Sequence, residues 1–211
     1  MALTTFVVYV GFALFFDLVG VDSGYGANLS VSIAAAVAYF VSTPVLVLKL
    51  TKPFVDPLAP VYYPILLSWP ISLGSYVRER LIGVIARYML FSVPMVSIAS
   101  ALLYSARDPN MVQALIGCGF GLLTCVMIAS STLIAICSGA RFSSPAVSML
   151  VAFAVPLILA NSFANTLRGY AILSFLGAAV VVTGSAAVIL WSTVSYFNTL
   201  DRRHFSRSDH E

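Results

Sequence analysis

Long apolar runs alternate with short polar segments along the whole chain, and this alternation predicts a series of membrane-spanning helices. A helix needs about 20 apolar residues to cross the hydrocarbon core of a bilayer. We place six predicted spans at residues 4–21, 29–50, 81–104, 111–138, 145–163 and 170–197. The chain is therefore predicted to be an all-α integral membrane protein with one six-helix transmembrane domain, residues 1–200, and a polar cytoplasmic tail, residues 201–211.

The polar segments differ in length, and the longest lies between the second and third spans. Residues 52–80 contain five prolines, at positions 53, 57, 60, 64 and 70, which is too many for a helix. We predict a cytoplasmic loop here with a short interfacial or coupling helix. The first apolar run has no basic residue before it and no Ala-x-Ala site after it, which favours a retained helix over a signal peptide.

The composition supports a membrane protein and excludes most soluble functions. The chain is 60% hydrophobic and only 9% charged, whereas soluble domains are about 25% charged. These values exclude a soluble enzyme, a nucleic-acid-binding domain and a disordered chain.

The few basic residues indicate how the spans are oriented. With the N-terminus inside, nine of the eleven basic residues fall on the inner side, and only Arg107 and Arg168 fall outside. This positive-inside bias predicts that both termini face the cytoplasm or matrix. No transit peptide is visible, which favours a bacterial plasma membrane over a mitochondrial inner membrane. The nine inner residues are Lys49, Lys52, Arg78, Arg80, Arg87, Arg141, Arg202, Arg203 and Arg207.

Cysteine and histidine positions argue against metal, redox or haem chemistry by this chain. Cys118, Cys125 and Cys137 lie in one apolar stretch and form no Cys-x-x-Cys pair. His204 and His210 both lie in the polar tail, so no imidazole at membrane depth is expected to ligate haem. We expect no metal site, no catalytic residues and no cofactor bound by the chain itself.

Three charged residues are candidate polar sites in or beside the spans. An intramembrane charge is costly and marks a functional site by default. Asp17 lies near the predicted outer end of the first span, where an interfacial position is the simpler interpretation. Arg87 lies two turns inside the third span, from which its long side chain can snorkel to the headgroups or pair with Glu79. Arg141 follows the fourth span in the inner loop.

The inner loop before the third span carries the candidate partner-coupling residues. It combines apolar residues, an interfacial Trp and Tyr, and a terminal charged cluster. One interpretation is a helix in the headgroup layer. The other is a coupling element that docks into a partner and transmits its movement to the spans, and the pattern leaves both open. The candidate coupling residues are Leu66, Leu67, Trp69, Pro70, Tyr76, Arg78, Glu79 and Arg80.

Three segments resemble a known family of membrane permeases. Residues 66–72, followed by Arg78, are similar to a Leu-Leu-x-x-Pro-Leu run with a basic residue eight positions after the proline. Residues 139–141 and 156–159 are similar to a basic loop and a Pro-Leu-rich fifth span, and residues 169–178 to the start of a last span. Together these segments resemble CcmB, the haem exporter permease family of cytochrome c maturation, which are type-2 ABC exporter membrane subunits.

The resemblance covers roughly residues 60–200 and implies a function and partners. It implies a permease subunit that pairs with an ABC ATPase subunit and a haem-handling membrane protein in a hetero-oligomer. Haem would then be handled through a partner, and ATP would be hydrolysed by the ATPase, since this sequence has no Walker motif. Two features depart from the family pattern: residues 57–63 carry no acidic residue where the family has an acidic stretch, and no amphipathic segment precedes the first span.

Two other functions remain open at the level of sequence. The scarcity of polar groups in the spans and the missing acidic stretch favour a structural subunit of a larger, respiratory-type membrane complex. A small secondary transporter is disfavoured because the spans lack intramembrane acids and a pair of broken helices in matching halves.

Overall fold

Every element that the structure describes is an α-helix. The structure, a computed structural model, describes residues 2–19, 29–54, 72–106, 110–159 and 171–208. Helices suit this apolar sequence because they satisfy all backbone hydrogen bonds within one segment, as a lipid environment requires. The six helices are α1 Ala2–Leu18, α2 Leu29–Phe54, α3 Leu73–Ser105, α4 Met111–Phe142, α5 Pro145–Ile158 and α6 Ala171–Ser208.

Four of these helices are long and apolar enough to cross a membrane. They contain the candidate spans Ile33–Thr51, Leu73–Ser105, Met111–Phe142 and Phe175–Leu200. The prediction of a multi-pass, all-helical membrane protein is thereby confirmed for the described part of the chain. Helices α1 and α5 are apolar but shorter, with 17 and 14 residues.

Helix α4 forms the centre of the bundle. It packs against α2, α3, α5 and α6, whereas α1 packs against α2 and α3. Accordingly, α4 buries side chains around its whole circumference, including Phe120, Met127, Ile128 and Ile136. A helix that is apolar on all sides is suited to this central position.

Two glycines allow α3 and α4 to approach each other closely. A Cβ atom on Gly121 would lie 2.6 Å from the Cα atom of Ser97, and one on Gly117 would lie 2.6 Å from the carbonyl oxygen of Ser100. Small residues four apart permit this backbone contact in membrane helices. Because the higher-numbered glycine meets the lower-numbered serine, α3 and α4 run antiparallel.

The turn between α4 and α5 is sharp and locally determined. Ser143 caps α4 in a left-handed conformation with φ 49°, and its backbone N–H donates to the carbonyl oxygen of Ala140. Pro145 then occupies the first turn of α5, where its fixed φ suits a helix and its missing N–H costs no hydrogen bond.

Several helices extend beyond the spans predicted from hydropathy. Helix α3 begins at Leu73 where the predicted span began at Leu81, and α6 continues to Ser208 through part of the predicted tail. At their ends α2 and α4 also run four residues further, to Phe54 and Phe142. Hydropathy marks where a chain leaves lipid, but the helix ends where its backbone loses a partner or gains a cap.

Candidate functional site

The start of α3 holds the described part of the predicted coupling region. Ser72 caps the helix, since its hydroxyl oxygen accepts a hydrogen bond of 3.2 Å from the backbone N–H of Ser75. Tyr76 and the exposed Arg78, Glu79 and Arg80 therefore lie on the first turns of α3 itself. Residues 73–80 are thus part of α3, whereas residues 55–71, where a separate coupling helix would otherwise lie, are outside the described residues. The candidates Leu66, Leu67, Trp69 and Pro70 lie outside the described residues.

The charged start of α3 is locally ordered and electropositive. The Arg80 guanidinium donates to the Tyr76 hydroxyl and lies 5.5 Å from the centre of its ring. The first turn carries no acidic residue, so nothing there offsets the positive end of the helix dipole. Arg78 and Arg80, with Glu79 between them, add a net charge of +1, which makes this surface suited to an acidic partner or to lipid headgroups.

Gly74 holds the start of α3 against α6. A Cβ atom on Gly74 would lie 2.9 Å from the carbonyl oxygen of Val194 and 2.6 Å from Cγ of Asn198. Val77 and Leu81, on the same side of α3, are buried. The start of α3 is therefore packed closely against α6.

Arg141 lies at the last turn of α4, beside α6. Its guanidinium donates to the Ser192 hydroxyl at 3.3 Å and lies 5.6 Å from the centre of the Tyr196 ring. It stands at a groove of about 220 Å³ between α4 and α6, with Cys137 and Val188 among the lining residues. The structure thus brings Arg141 together with three α6 residues that the sequence analysis did not single out: Val188, Ser192 and Tyr196.

The other two candidate polar residues, Asp17 and Arg87, are exposed, and they lie on helices other than the two that form this groove. Asp17 is in the last turn of α1. Arg87 is on α3, next to the buried Tyr88, whose hydroxyl is 3.2 Å from that of Thr5 in α1. The beginning of α1 therefore lies beside Tyr88, well past the start of α3. Arg87 sits at the level where α1 begins.

Buried tyrosine hydroxyls link the helices, a feature that the sequence analysis missed. Tyr9 in α1 is 2.7 Å from the Ser100 hydroxyl in α3, and Tyr39 in α2 is 2.7 Å from the Ser131 hydroxyl in α4. Such bonds bind helices together where lipid offers no alternative partner. Partners more than 90 residues apart cannot be paired from one sequence.

Two buried hydroxyls without a hydrogen-bond partner among the described residues occur at close helix contacts. Ser97 faces Gly121, and Ser148 of α5 faces Gly139 of α4. Their position between tightly packed backbones explains them as small residues at a helix crossing. They leave no room there for a substrate.

The described residues contain no group of three His, Cys, Asp or Glu side chains arranged to hold a metal ion. Cys118 is exposed, whereas Cys125 and Cys137 are buried, and all three thiols are free. Only Cys137 borders the Arg141 groove.

Comparison with known proteins adds no relative to this picture. No protein-family model matches the chain, and no curated protein or solved structure matches it either. The resemblance to the CcmB family remains a prediction based on the three sequence segments.

Proposed function

We propose that the chain is the non-catalytic membrane permease subunit of an ABC-type complex in haem delivery for cytochrome c maturation. In this proposal an ATPase partner binds the inner surface through residues 64–80, and a haem-handling membrane protein binds within the bilayer. The observation that supports it most is the start of α3, where Arg78, Glu79 and Arg80 are exposed while Gly74 is packed tightly on α6. A partner that binds this exposed surface and changes its position can therefore displace α3 and, through Gly74, α6.

The proposal includes six membrane spans, formed by the four long helices together with α1 and α5. At 1.5 Å per residue, α1 and α5 measure about 25 Å and 21 Å, less than the hydrocarbon thickness of about 30 Å. The predicted spans 4–21 and 145–163 continue past the described ends of these helices. As sequence segments these predicted spans have 18 and 19 residues, close to the roughly 20 apolar residues that a crossing needs.

Four exposed basic residues lie at one end of the bundle, which supports an inward orientation for that end. Arg141 contacts Tyr196, and the Cβ position of Gly74 faces Asn198, so α4 ends and α3 starts at the same level of α6. In a six-span arrangement α2 and α4 run in the same direction. Tyr39 of α2 is hydrogen-bonded to Ser131 of α4. Lys49 follows Tyr39 by as many residues as Arg141 follows Ser131, so Lys49 and Arg141 lie at the same level of the bundle. We name Lys49, Arg78, Arg80 and Arg141 the basic belt.

The mechanism is a rocking movement of helices against one another. A partner that binds the start of α3 moves α3 and α6 together, because Gly74 leaves no space between them. The crossing of Ser97 and Gly121 then passes the movement to α4, which contacts α2 and α5 in turn. ATP hydrolysis takes place in the partner. Any haem is carried through contacts with the partners.

The test is the combined substitution Arg78→Gln, Glu79→Gln and Arg80→Gln. We expect it to abolish stimulation of the partner ATPase and cytochrome c assembly, while the bundle remains folded because all three side chains are exposed. Arg87→Gln, an exposed charge change further along the same helix, is the matched control and is expected to retain both activities. Full cytochrome c assembly with the triple variant would refute the coupling role.

A further inference from the structure

The groove between α4 and α6 combines an apolar floor with a single cationic edge. It has a volume of about 220 Å³ and opens to the outside of the bundle between the last turns of α4 and residues 188–193 of α6. Its lining residues Phe142 and Val188 are 68% and 64% exposed, and Trp191, next to Ser192 in the chain, is 73% exposed. In a membrane-spanning bundle, such a surface is in contact with lipid chains.

Arg141 carries a charge that no acidic side chain among the described residues neutralises. Its two contacts, the Ser192 hydroxyl and the Tyr196 ring, orient the guanidinium but leave its charge in place. A guanidinium presents several N–H groups in a fixed plane, a geometry that fits the oxygens of a phosphate. Arg141 is also the basic residue in the last turn of an otherwise uncharged helix, α4. The end of a membrane-spanning helix lies where headgroups meet hydrocarbon.

We propose that this groove is a binding site for one anionic phospholipid, with the headgroup phosphate on Arg141 and an acyl chain along Val188 and Phe142. Charge complementarity selects the anionic lipid, because no carboxylate beside Arg141 in the described chain would receive the positive amine of a zwitterionic headgroup. The apolar floor selects a lipid over free phosphate, which would leave those side chains uncovered. The proposal stands independently of the ABC-permease function.

Fluorescence quenching can measure the lipid preference at this groove. The chain has two tryptophans, and Trp69→Phe leaves Trp191, the neighbour of Ser192, as the only reporter. The full-length protein is reconstituted in phosphatidylcholine vesicles with increasing fractions of brominated phosphatidylglycerol, and in parallel with brominated phosphatidylcholine. We expect phosphatidylglycerol to be preferred about five-fold, the contribution of one basic residue near a membrane surface.

Variants of Arg141 assign this preference to its charge. Arg141→Gln is expected to remove the preference, Arg141→Lys to retain most of it, and Arg87→Gln to leave it unchanged. In the Trp69→Phe protein itself, raising the salt concentration is expected to weaken the preference, since screening reduces the attraction. This measurement tests the role of charge even if Arg141→Gln does not fold.

Three results would overturn the proposal. Equal quenching by the two brominated lipids would show that the groove holds ordinary lipid chains or a protein neighbour. A phosphatidylglycerol preference that survives both Arg141→Gln and high salt would place the site elsewhere. Loss of the preference on adding inorganic phosphate at constant ionic strength would identify a free-anion site; we expect no such competition.

Discussion

The hydroxyl groups of Tyr9 in α1 and Ser100 in α3 lie 2.7 Å apart, although 91 positions separate them in the sequence. Both side chains are fully buried. The carbonyl oxygen of Ser100 also faces Gly117 of α4, so one serine joins three helices. This contact, together with the hydrogen bond between Thr5 and Tyr88, fixes the short helix α1 to α3.

The Tyr9–Ser100 hydrogen bond is expected to stabilise the packing of α1. A double-mutant cycle with Tyr9→Phe, Ser100→Ala and the combined variant should give a coupling free energy of about 0.6 kcal/mol, with about 1.7 kcal/mol as an upper value for such bonds in membranes. The measurement is the free energy of unfolding in mixed micelles. A coupling free energy of zero would mean that the two hydroxyls do not bond in the folded protein.

The close contact of α3 and α4 is tested by a pair of glycine substitutions. Gly121→Ala places a methyl group 2.6 Å from the Cα atom of Ser97 and 2.8 Å from the carbonyl oxygen of Val96, so the helices must separate. We expect a loss of about 1–3 kcal/mol in the free energy of unfolding, as for other overpacked sites. Gly119→Ala, with no atom within 4 Å of the new Cβ, is the matched control and should be neutral or stabilising.

Thermal unfolding can be followed with a thiol-reactive dye, because Cys125 and Cys137 are buried until the bundle opens. Cys118→Ser removes the exposed thiol from the background. If Gly119→Ala lowers the melting temperature as much as Gly121→Ala, the close crossing is not the cause.

The start of α3 depends on its cap. Ser72→Ala is expected to cost about 1 kcal/mol locally and to increase hydrogen exchange at the Ser75 amide, which donates to the Ser72 hydroxyl. Ser75→Ala keeps the bond from the Ser75 backbone N–H to Ser72, and Ser72→Asp keeps a capping oxygen and adds a charge favourable to the helix dipole. Both should retain the native protection of the amide at position 75. Unprotected amides at both Ser75 and Tyr76 in the native protein would contradict a helix that begins at Leu73.

The six-span arrangement predicts which positions share a side of the membrane. In a background without native cysteines, Arg80→Cys and Arg141→Cys should react with an impermeant maleimide only from the inner side. Val19→Cys, just after the end of α1, and Met111→Cys, at the start of α4, should react only from the outer side. Labelling of Val19→Cys from the inside would show that α1 does not cross.

The helical class and the approximate position of each described helix were predictable from the sequence, because a segment that crosses lipid must be both apolar and helical. The helix ends were less predictable: α3 starts at Leu73 because Ser72 provides a cap, a local geometry that hydropathy does not detect. Likewise the polar residues after Leu200 have the composition of a tail, yet α6 continues through them to Ser208, since Asp and Arg are compatible with a helix in water.

The candidate site was predictable only in part. Arg78, Glu79, Arg80 and Arg141 were singled out because charges are rare in this chain. Their neighbours were not, because the contact of Arg141 with Ser192 joins residues 51 positions apart. The contact between Gly74 and α6 depends on how α3 and α6 pack, and a single sequence does not specify which helix faces are in contact.

The most direct test of the proposed function is the identification of the proteins that bind this chain. The native complex would be purified through the chain in mild detergent and its subunits identified by mass spectrometry, with ATPase activity assayed on the same preparation. We expect a nucleotide-binding subunit and a haem-handling membrane protein in stable association, and loss of the former in the variant with Arg78, Glu79 and Arg80 all changed to Gln. Purification with respiratory subunits and no nucleotide-binding protein would contradict it.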